Sequence, residues 1–421
     1  MKSCFCPANI LLPDFNKVDA HRWAVVACDQ FTSEPEYWED AAAIVGDAPS
    51  TLRLFLPEAY LSRAEQEIPS IQATMKQYLS EVLCEHPDSM IYVERTQSDG
   101  TIRHGLVLAV DLEAYDYTRG SSSLIRATEA TVLERIPPRV AIRRGADIEL
   151  PHVMLLVDDP ARTVLEPLAG GVGVPAYDTP LMKKGGHIRG RFLTDAEKNA
   201  VTQAMNALIT PDAIAARYGD ADLAPLLFAV GDGNHSLATA KAAYEEVKVA
   251  IGAEAAQTHP ARYALAEVVN IHDDALKFEP IYRVMFDVDA DDLLGELRAY
   301  AEALNGTAQT QNVLCRVGDR EETVTFAHPS LQLTVGTLQV FLDDYLSRHP
   351  EAEIDYIHGE GSVAALCERE NTVGFLFDGM GKDELFRTVI FDGALPRKTF
   401  SMGHAEDKRY YLECRRITPN T

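Results

Sequence analysis

The sequence predicts a mixed α/β fold, and three observations carry that prediction. Apolar runs of strand length alternate with longer segments of helical period along the whole chain. With 421 residues, 46% hydrophobic and 24% charged, the chain can bury a large core spread over roughly two or three domain-sized units. No internal repeat and no low-complexity linker interrupts it.

The elements follow in order. Residues 23–28 read as a strand that ends at Asp29 beside Gln30 and Thr32. Residues 33–44 read as a helix, with Ser33 as cap and Glu36 as its capping-box partner. Residues 64–85 form a second helix. Residues 90–94 and 101–110 are apolar and β-prone on either side of Ser98-Asp99-Gly100, which is the signature of a hairpin. Residues 151–157 read as a buried strand, 181–191 as a glycine-rich loop, and 194–209 and 211–218 as helices. A strand at 225–230 then runs through Gly231-Asp232-Gly233-Asn234-His235 into an alanine-rich helix reaching about Ile251. Beyond it, strands are expected at 281–286, 312–317, 322–327 and 373–377, and helices at 290–304, 335–348 and 383–391. The expected division is an α/β core over 1–275 and a C-terminal α/β region over 276–421, which together make either two units or one.

Charge narrows the function. Lys and Arg total 39 against 64 Asp and Glu, a formal net charge of -25. Neutralising phosphates along a nucleic acid needs a basic face, and anionic membranes need the same, so neither is an expected partner. No apolar run approaches the roughly 18 residues of a spanning helix, and the first residues carry no clear cleavage site, so a cytoplasmic location is expected. The seven cysteines are odd in number and mostly scattered, which fits reduced thiols better than a disulfide framework.

The segment with the most chemistry is the turn from the strand at 225–230 into its helix. A tight strand-to-helix turn presents unpaired N–H groups at the positive end of a helix dipole, a seat for phosphate or carboxylate. Gly231 and Gly233 let a ligand approach the backbone. Asp232, Asn234 and His235 add a carboxylate, an amide and an imidazole. The plainer alternative is that Asp232 or Asn234 caps the helix while the glycines make the turn.

A second candidate is Lys183-Lys184-Gly185-Gly186-His187-Ile188-Arg189-Gly190-Arg191, a concentration of cations in an acidic chain that could steer an anionic metabolite. It lacks the spacing of a Walker loop. Arg126, Arg135, Arg139, Arg143 and Arg144 lie around Glu129 and Pro137-Pro138, and serve either phosphate recognition or internal ion pairs. Asp158-Asp159 is either a magnesium ligand or an acidic turn. Asp29 stands where ligands bind at the ends of strands in open α/β sheets. Lys398 is a further cation beside Thr399 and Ser401.

Several of these segments, in order along the chain, resemble the bacterial and archaeal family called domain of unknown function 1015. The carrying residues include Ile125-Arg126-Ala127-Thr128-Glu129-Ala130-Thr131, Glu149-Leu150-Pro151-His152, Gly185-Gly186-His187-Ile188-Arg189-Gly190, Gly231-Asp232-Gly233-Asn234-His235, Glu279-Pro280-Ile281-Tyr282-Arg283 and Pro396-Arg397-Lys398-Thr399. The Asp-Gly-x-His motif is similar to that of the ParB/sulfiredoxin-like fold, which includes free-serine kinases. The resemblance implies a core of that kind elaborated by extra strands and helices. It implies that Asp232, Gly233 and His235 hold phosphate and that Asp29 is the base on a substrate hydroxyl. Two departures stand out: Ser236 follows His235 where Arg is common, so a guanidinium must come from elsewhere, and Tyr282 stands where His is frequent.

The expected activity is therefore phosphoryl transfer involving free serine or phosphoserine, with ADP or ATP and Mg2+ as cofactors and a small molecule as partner. Asp29, Asp232 and His235 are the expected catalytic residues. Gly231, Gly233, Asn234, Lys184, Arg189, Arg143 and Lys398 are the expected phosphate or nucleotide ligands. A phosphoserine phosphatase and a non-catalytic sensor of a phosphorylated metabolite are the alternatives.

Overall fold

The computed structural model describes residues 3–129, 140 and 142–419. The chain divides into two units, residues 1–276 joined by 403–421, and residues 277–402.

The first unit is built on a ten-stranded mixed sheet. Its strand order is Pro175–Pro180, His187–Phe192, Ile91–Thr96, Ile102–Asp111, Tyr263–Asn270, Met154–Val157, Phe228–Asp232, Ile125–Ala127 and Tyr115–Asp116, with Phe5–Cys6 pairing beside Ile102–Asp111. Tyr263–Asn270 runs parallel to Met154–Val157 and antiparallel to Ile102–Asp111, so the sheet is mixed at its centre. Both faces are covered, which explains why the central strands are apolar throughout instead of alternating with polar residues. Leu106, Leu108 and Val110 pack on one side with Leu237, Ala240 and Tyr244 of the helix Asn234–Ile251. Val107 and Ala109 face the other side, against Trp38, Ala41 and Val45 of the helix Pro35–Val45.

The tail after residue 403 is woven into this unit. Tyr410–Tyr411 pairs with Val25–Val26, Arg415–Arg416 pairs with Ile148–Glu149, and Cys414 bridges Leu11. Its anchor is ionic and buried: Arg409 Nη1 lies 2.7 Å from Glu267 Oε2, with both side chains almost wholly removed from water, and its Nη2 reaches Glu413. Arg95 and Arg103 lie in the same interior, where Arg103 donates to the Asp407 carbonyl and Arg95 to that of Glu406. Burial first, and the neighbouring Arg103 second, pull Arg95 down to about 10, which leaves it charged at neutral pH.

The second unit carries a six-stranded antiparallel sheet. Its order is Arg320–Phe326, Gln311–Val317, Val373–Leu376, Phe278–Phe286 and Glu353–His358, with Phe400–Met402 also pairing on Phe278–Phe286. The helices Ala290–Ala303, Thr334–Arg348, Glu360–Cys367 and Glu384–Phe391 belong to it.

Several local expectations are corrected. Asp19 caps a one-turn helix, Ala20–Trp23, so only Val25–Val26 of the expected first strand is extended. The next helix starts at Pro35 and has no side-chain cap, because proline at the first position fixes the entry without one. The second helix ends at Glu81, and Leu83–Ser89 continues as a strand on Ala8–Pro13. The expected loop at 181–191 is a turn only as far as Gly186; His187–Phe192 is a strand between two others. Among the described residues, no helix is long and apolar enough to cross a membrane.

Candidate functional site

The strand Phe228–Asp232 leads through Gly233 directly into the helix Asn234–Ile251. Residues 226–230 and 237–240 are buried, whereas 231–236 are all half-buried, so the turn is where this element meets solvent. Gly233 has φ +81° and precedes the helix with no side-chain cap. A side chain there would be strained, and its Cβ would lie 3.1 Å from Val153 Cα and 3.5 Å from His152 Cδ2. The pairing Met154↔Asp232 sets this closeness, because the antiparallel register carries Val153 past Gly233. Gly231 is needed for a different reason: its Cβ would meet Leu156 Cγ at 2.8 Å.

Three other segments converge on this turn. His152 brings Nε2 to 2.6 Å from Ser236 Oγ and Nδ1 to 2.8 Å from the Tyr411 hydroxyl. Asp29 Oδ2 lies 3.9 Å from His152 Nε2, while its other oxygen accepts from Gln30 Nε2. Lys408 Nζ donates to Asp232 Oδ2 at 3.1 Å, and Asp232 Oδ1 accepts the Gly233 N–H. The tail positions most of this: Ala27 N–H donates to the Arg409 carbonyl just before Asp29, and the 415–416 pairing holds Ile148–Glu149 just before His152. Tyr411 stays protonated, because burial first, and then the neighbouring Cys28 and Asp29, push its hydroxyl far above the usual range.

The structure thus brings Asp29, Gly231, Asp232, Gly233, Asn234 and His235 into one region. Asn234 is occupied there, accepting from Thr128 N–H and donating to Thr128 Oγ1 at 3.3 Å each. Arg143 lines the adjoining cavity but bonds to Glu149, which also accepts from Arg415 Nε at 2.8 Å and Leu265 N–H at 2.9 Å. Burial opposes the charge of Glu149, yet Arg415 and Arg143 hold its carboxyl below the usual range. Arg126 is spent on the carbonyls of Ser123, Ala224 and Pro225, and Arg144 on Glu246. Arg135, Arg139 and the Pro137-Pro138 pair lie outside the described residues.

The basic segment does not join the turn through any of these contacts. Arg189 sits in the strand His187–Phe192 and pairs with Asp178 at 3.0 Å. Lys184 is exposed in the left-handed region at φ 64°. Lys398 belongs to the second unit, where its carbonyl accepts from Arg283 Nη1. Asp158 accepts from Arg217, Tyr218 and His272, and Asp159 accepts from the backbone of Thr163 and Val164, so this pair is built as a turn and not as a magnesium site. Asp292, Glu296 and His349 in the second unit could share a cation, but Glu296 is already held by Arg348 at 2.6 Å.

Sequence reasoning gave no role to His152, Tyr411 or Lys408 and read Ser236 only as a departure from the family's pattern; His152 stood in a segment that carries the resemblance without being singled out as a site residue.

Beside the turn lies a cavity of about 200 Å³. Leu54, Phe55, Ile68, Met75 and Ile148 give it a mainly apolar wall, and His152, Ser236, Cys28 and Tyr411 form a polar edge.

The fold and the turn define a mixed α/β protein with a solvent-facing glycine turn served by distant carboxylate, imidazole and ammonium groups. The chain matches the model of the family described as protein of unknown function (DUF1015) over residues 13–415, and it belongs to that family. Comparison with curated proteins gives no match. Similar solved structures include a conserved hypothetical protein from Pyrococcus furiosus, 12% identical, with TM-score 0.33, covering 74% of this chain and 95% of its own. A variant of a free serine kinase in complex with ADP is 10% identical with TM-score 0.36, over 74% and 92% of the two chains. C-terminally truncated SbnI from Staphylococcus aureus is 12% identical with TM-score 0.35, over 74% and 87%. Likeness at this level says nothing about activity.

Proposed function

We propose that this protein transfers a phosphoryl group between a nucleotide and the hydroxyl of free serine, with ATP or ADP and Mg2+ as cofactors. One observation carries the reading: Asp29, more than 200 residues away in sequence, reaches the glycine turn through His152, which contacts both Asp29 and Ser236. Phosphoryl transfer asks a protein for positioning and charge neutralisation. In this reading the first-turn N–H groups after Gly233 would hold phosphate, Lys408, now paired with Asp232, would offset its charge, and Asp29 would accept the serine hydroxyl proton. The residues fit such a ligand, since the helix start has no side-chain cap and a lysine stands beside it. Lys184, Arg189 and Lys398 have no part in this reading.

The test is direct. Purified protein with ATP, Mg2+ and serine is expected to form phosphoserine, and phosphoserine with ADP to form ATP. Release of inorganic phosphate from phosphoserine without nucleotide would favour the phosphatase instead. Stabilisation by nucleotide or phosphoserine with no turnover in either direction would favour the sensor.

A further inference from the structure

A small polar amino acid leaves the apolar cavity beside the turn unexplained. We infer that Ser236 and His152 form a nucleophile and base for acyl transfer, and that the substrate is a carboxylic ester whose acyl group is a compact hydrocarbon seated in this cavity.

The chemistry needs one tautomer of His152, and the neighbours of the ring can accommodate it. Tyr411 hydroxyl and Cys28 Sγ lie 3.3 Å apart, a pair in which either group can donate. The hydroxyl also accepts from Cys28 N–H at 3.3 Å. In the proposed arrangement the ring proton sits on Nδ1, donated to the Tyr411 oxygen 2.8 Å away while the phenol donates to Cys28. With the proton on Nδ1, the ring presents the lone pair of Nε2 to Ser236 Oγ, 2.6 Å away. A serine hydroxyl in reach of an imidazole that a third group orients is the general arrangement of an activated oxygen nucleophile. Asp29 Oδ2 lies 3.9 Å from the same Nε2, so a carboxylate stands beside the nitrogen that takes the proton.

The surroundings complete the site. Ser236 lies in the uncapped first turn of the helix Asn234–Ile251, where outward N–H groups and the helix dipole favour a developing oxyanion. Ser236 and His152 both line the cavity, whose other walls are mostly aliphatic. Its volume of about 200 Å³ exceeds the roughly 150 Å³ apolar cavity known to admit benzene, so an acyl group of about ring size fits.

The step balances. Ser236 Oγ bonds to the acyl carbon while the bond from that carbon to the alcohol oxygen breaks. His152 Nε2 takes the Oγ proton and returns it to the departing alcohol. Water then adds to the acyl carbon, gives its proton to His152, and releases the carboxylic acid as Ser236 recovers its hydrogen. Tyr411 acts as a positioning residue whose oxygen accepts a hydrogen bond from Nδ1–H.

The experiment uses the full chain and an alkyl fluorophosphonate, read by peptide mass spectrometry, together with nitrophenyl acetate and nitrophenyl benzoate. The expected result is one adduct per chain on Ser236, benzoate hydrolysed in preference to acetate, and a loss of at least 100-fold in labelling rate in His152→Gln. Ala146→Phe, which fills the cavity, is expected to slow benzoate more than acetate. Tyr411→Phe is expected to lower the maximal labelling rate with probe affinity unchanged, a split that a purely structural role would not give. An unlabelled Ser236 in the folded native chain, or equal labelling in a folded His152→Gln chain, overturns the proposal. The native-chain labelling needs no variant to fold, and it is independent of whether phosphoserine is formed.

Discussion

Residues 181–191 and 231–236 look alike as sequence: both are rich in glycine and polar side chains next to apolar runs. In the folded chain they part ways. In the first, most of the charges are met by carboxylates of their own strand pairs or of the nearest helices: His187 and Arg189 by Asp178, Lys183 by Asp40, and Arg191 by Glu197. The second is met by His152 and Lys408, with Asp29 and Tyr411 behind His152, and it keeps a half-buried face. A cation that has a local carboxylate serves the fold, and a turn that collects distant groups while staying open to solvent is the better candidate for chemistry.

The largest expected effect tests that contrast in turnover. Under the phosphoryl-transfer reading, Asp29→Asn lowers the rate of phosphoserine formation by about 10²–10⁴, the range for a general base. Arg189→Ala changes it less than about twofold, because its guanidinium is already spent on Asp178 at the exposed face of a strand. Steady-state kinetics on both variants, with melting temperatures to confirm folding, check this. Equal losses would erase the distinction between the two segments.

The second contrast concerns stability. Glu267→Leu removes the carboxylate that faces Arg409, with Arg103 at 3.8 Å, inside the sheet. Cations left buried without that partner are expected to cost about 3–5 kcal/mol in urea unfolding. Asp178→Asn breaks pairs that are half exposed and should cost under about 1 kcal/mol. Loss of Glu267 should also loosen the tail that carries Lys408 and Tyr411, so turnover should fall together with stability.

Gly233 offers a finer cut. Gly233→Ala combines left-handed strain with contacts of 3.1–3.5 Å to Val153 and His152 and is expected to cost about 1–3 kcal/mol. Gly170→Ala, at φ +72° with nothing within 4 Å, carries the strain alone, about 1–2 kcal/mol. The difference in denaturation midpoint isolates the crowding of the His152 strand, and only Gly233→Ala should weaken activity.

Much of the fold was legible because it is local. The hairpin around Asp99-Gly100, the strand-turn-helix at 231–236 and the helices Asp195–Leu208 and Pro211–Tyr218 follow from turn chemistry, period and capping, such as the box formed by Thr194 and Glu197. The strand Tyr263–Asn270, central to the sheet, was missed: it is buried from Ala264 to Asn270 and follows a helical segment, so it shows no alternation. The site was half legible. Glycine and the polar residues mark the turn, but His152, Lys408 and Tyr411 acquire meaning only through pairings separated by 84 to 259 residues. The tail pairs that set them, Tyr410–Tyr411 on Val25–Val26 and Arg415–Arg416 on Ile148–Glu149, involve two-residue strands too short to carry a pattern.

The smallest expected effect applies the same lesson to two histidines, and it appears in the pH dependence of stability. His104 Nδ1 lies 2.9 Å from Asp273 Oδ2, 169 residues on, and that hydrogen bond outweighs burial and raises the imidazole above its ordinary value. His86 stacks on Phe192 at 4.7 Å, and burial lowers it. The signs are opposite. The stabilisation from protonated His104 is fully present below the unfolded value of about 6.5 and is lost as pH rises through the raised folded value. His86 costs the fold nothing above about 6.5, and its penalty grows as pH falls toward the lowered folded value. Asp273, whose carboxyl burial tends to raise but the His104 bonds hold low, acts in a separate acidic window, losing its contribution only below the ordinary carboxylate range. Melting temperatures measured from pH 5 to 8 should therefore fall less steeply above pH 6.5 in His104→Gln than in the native chain, while His86→Gln should gain stability below pH 6.5. If His104→Gln left the profile unchanged, the long-range partner would be contributing nothing beyond what burial alone sets.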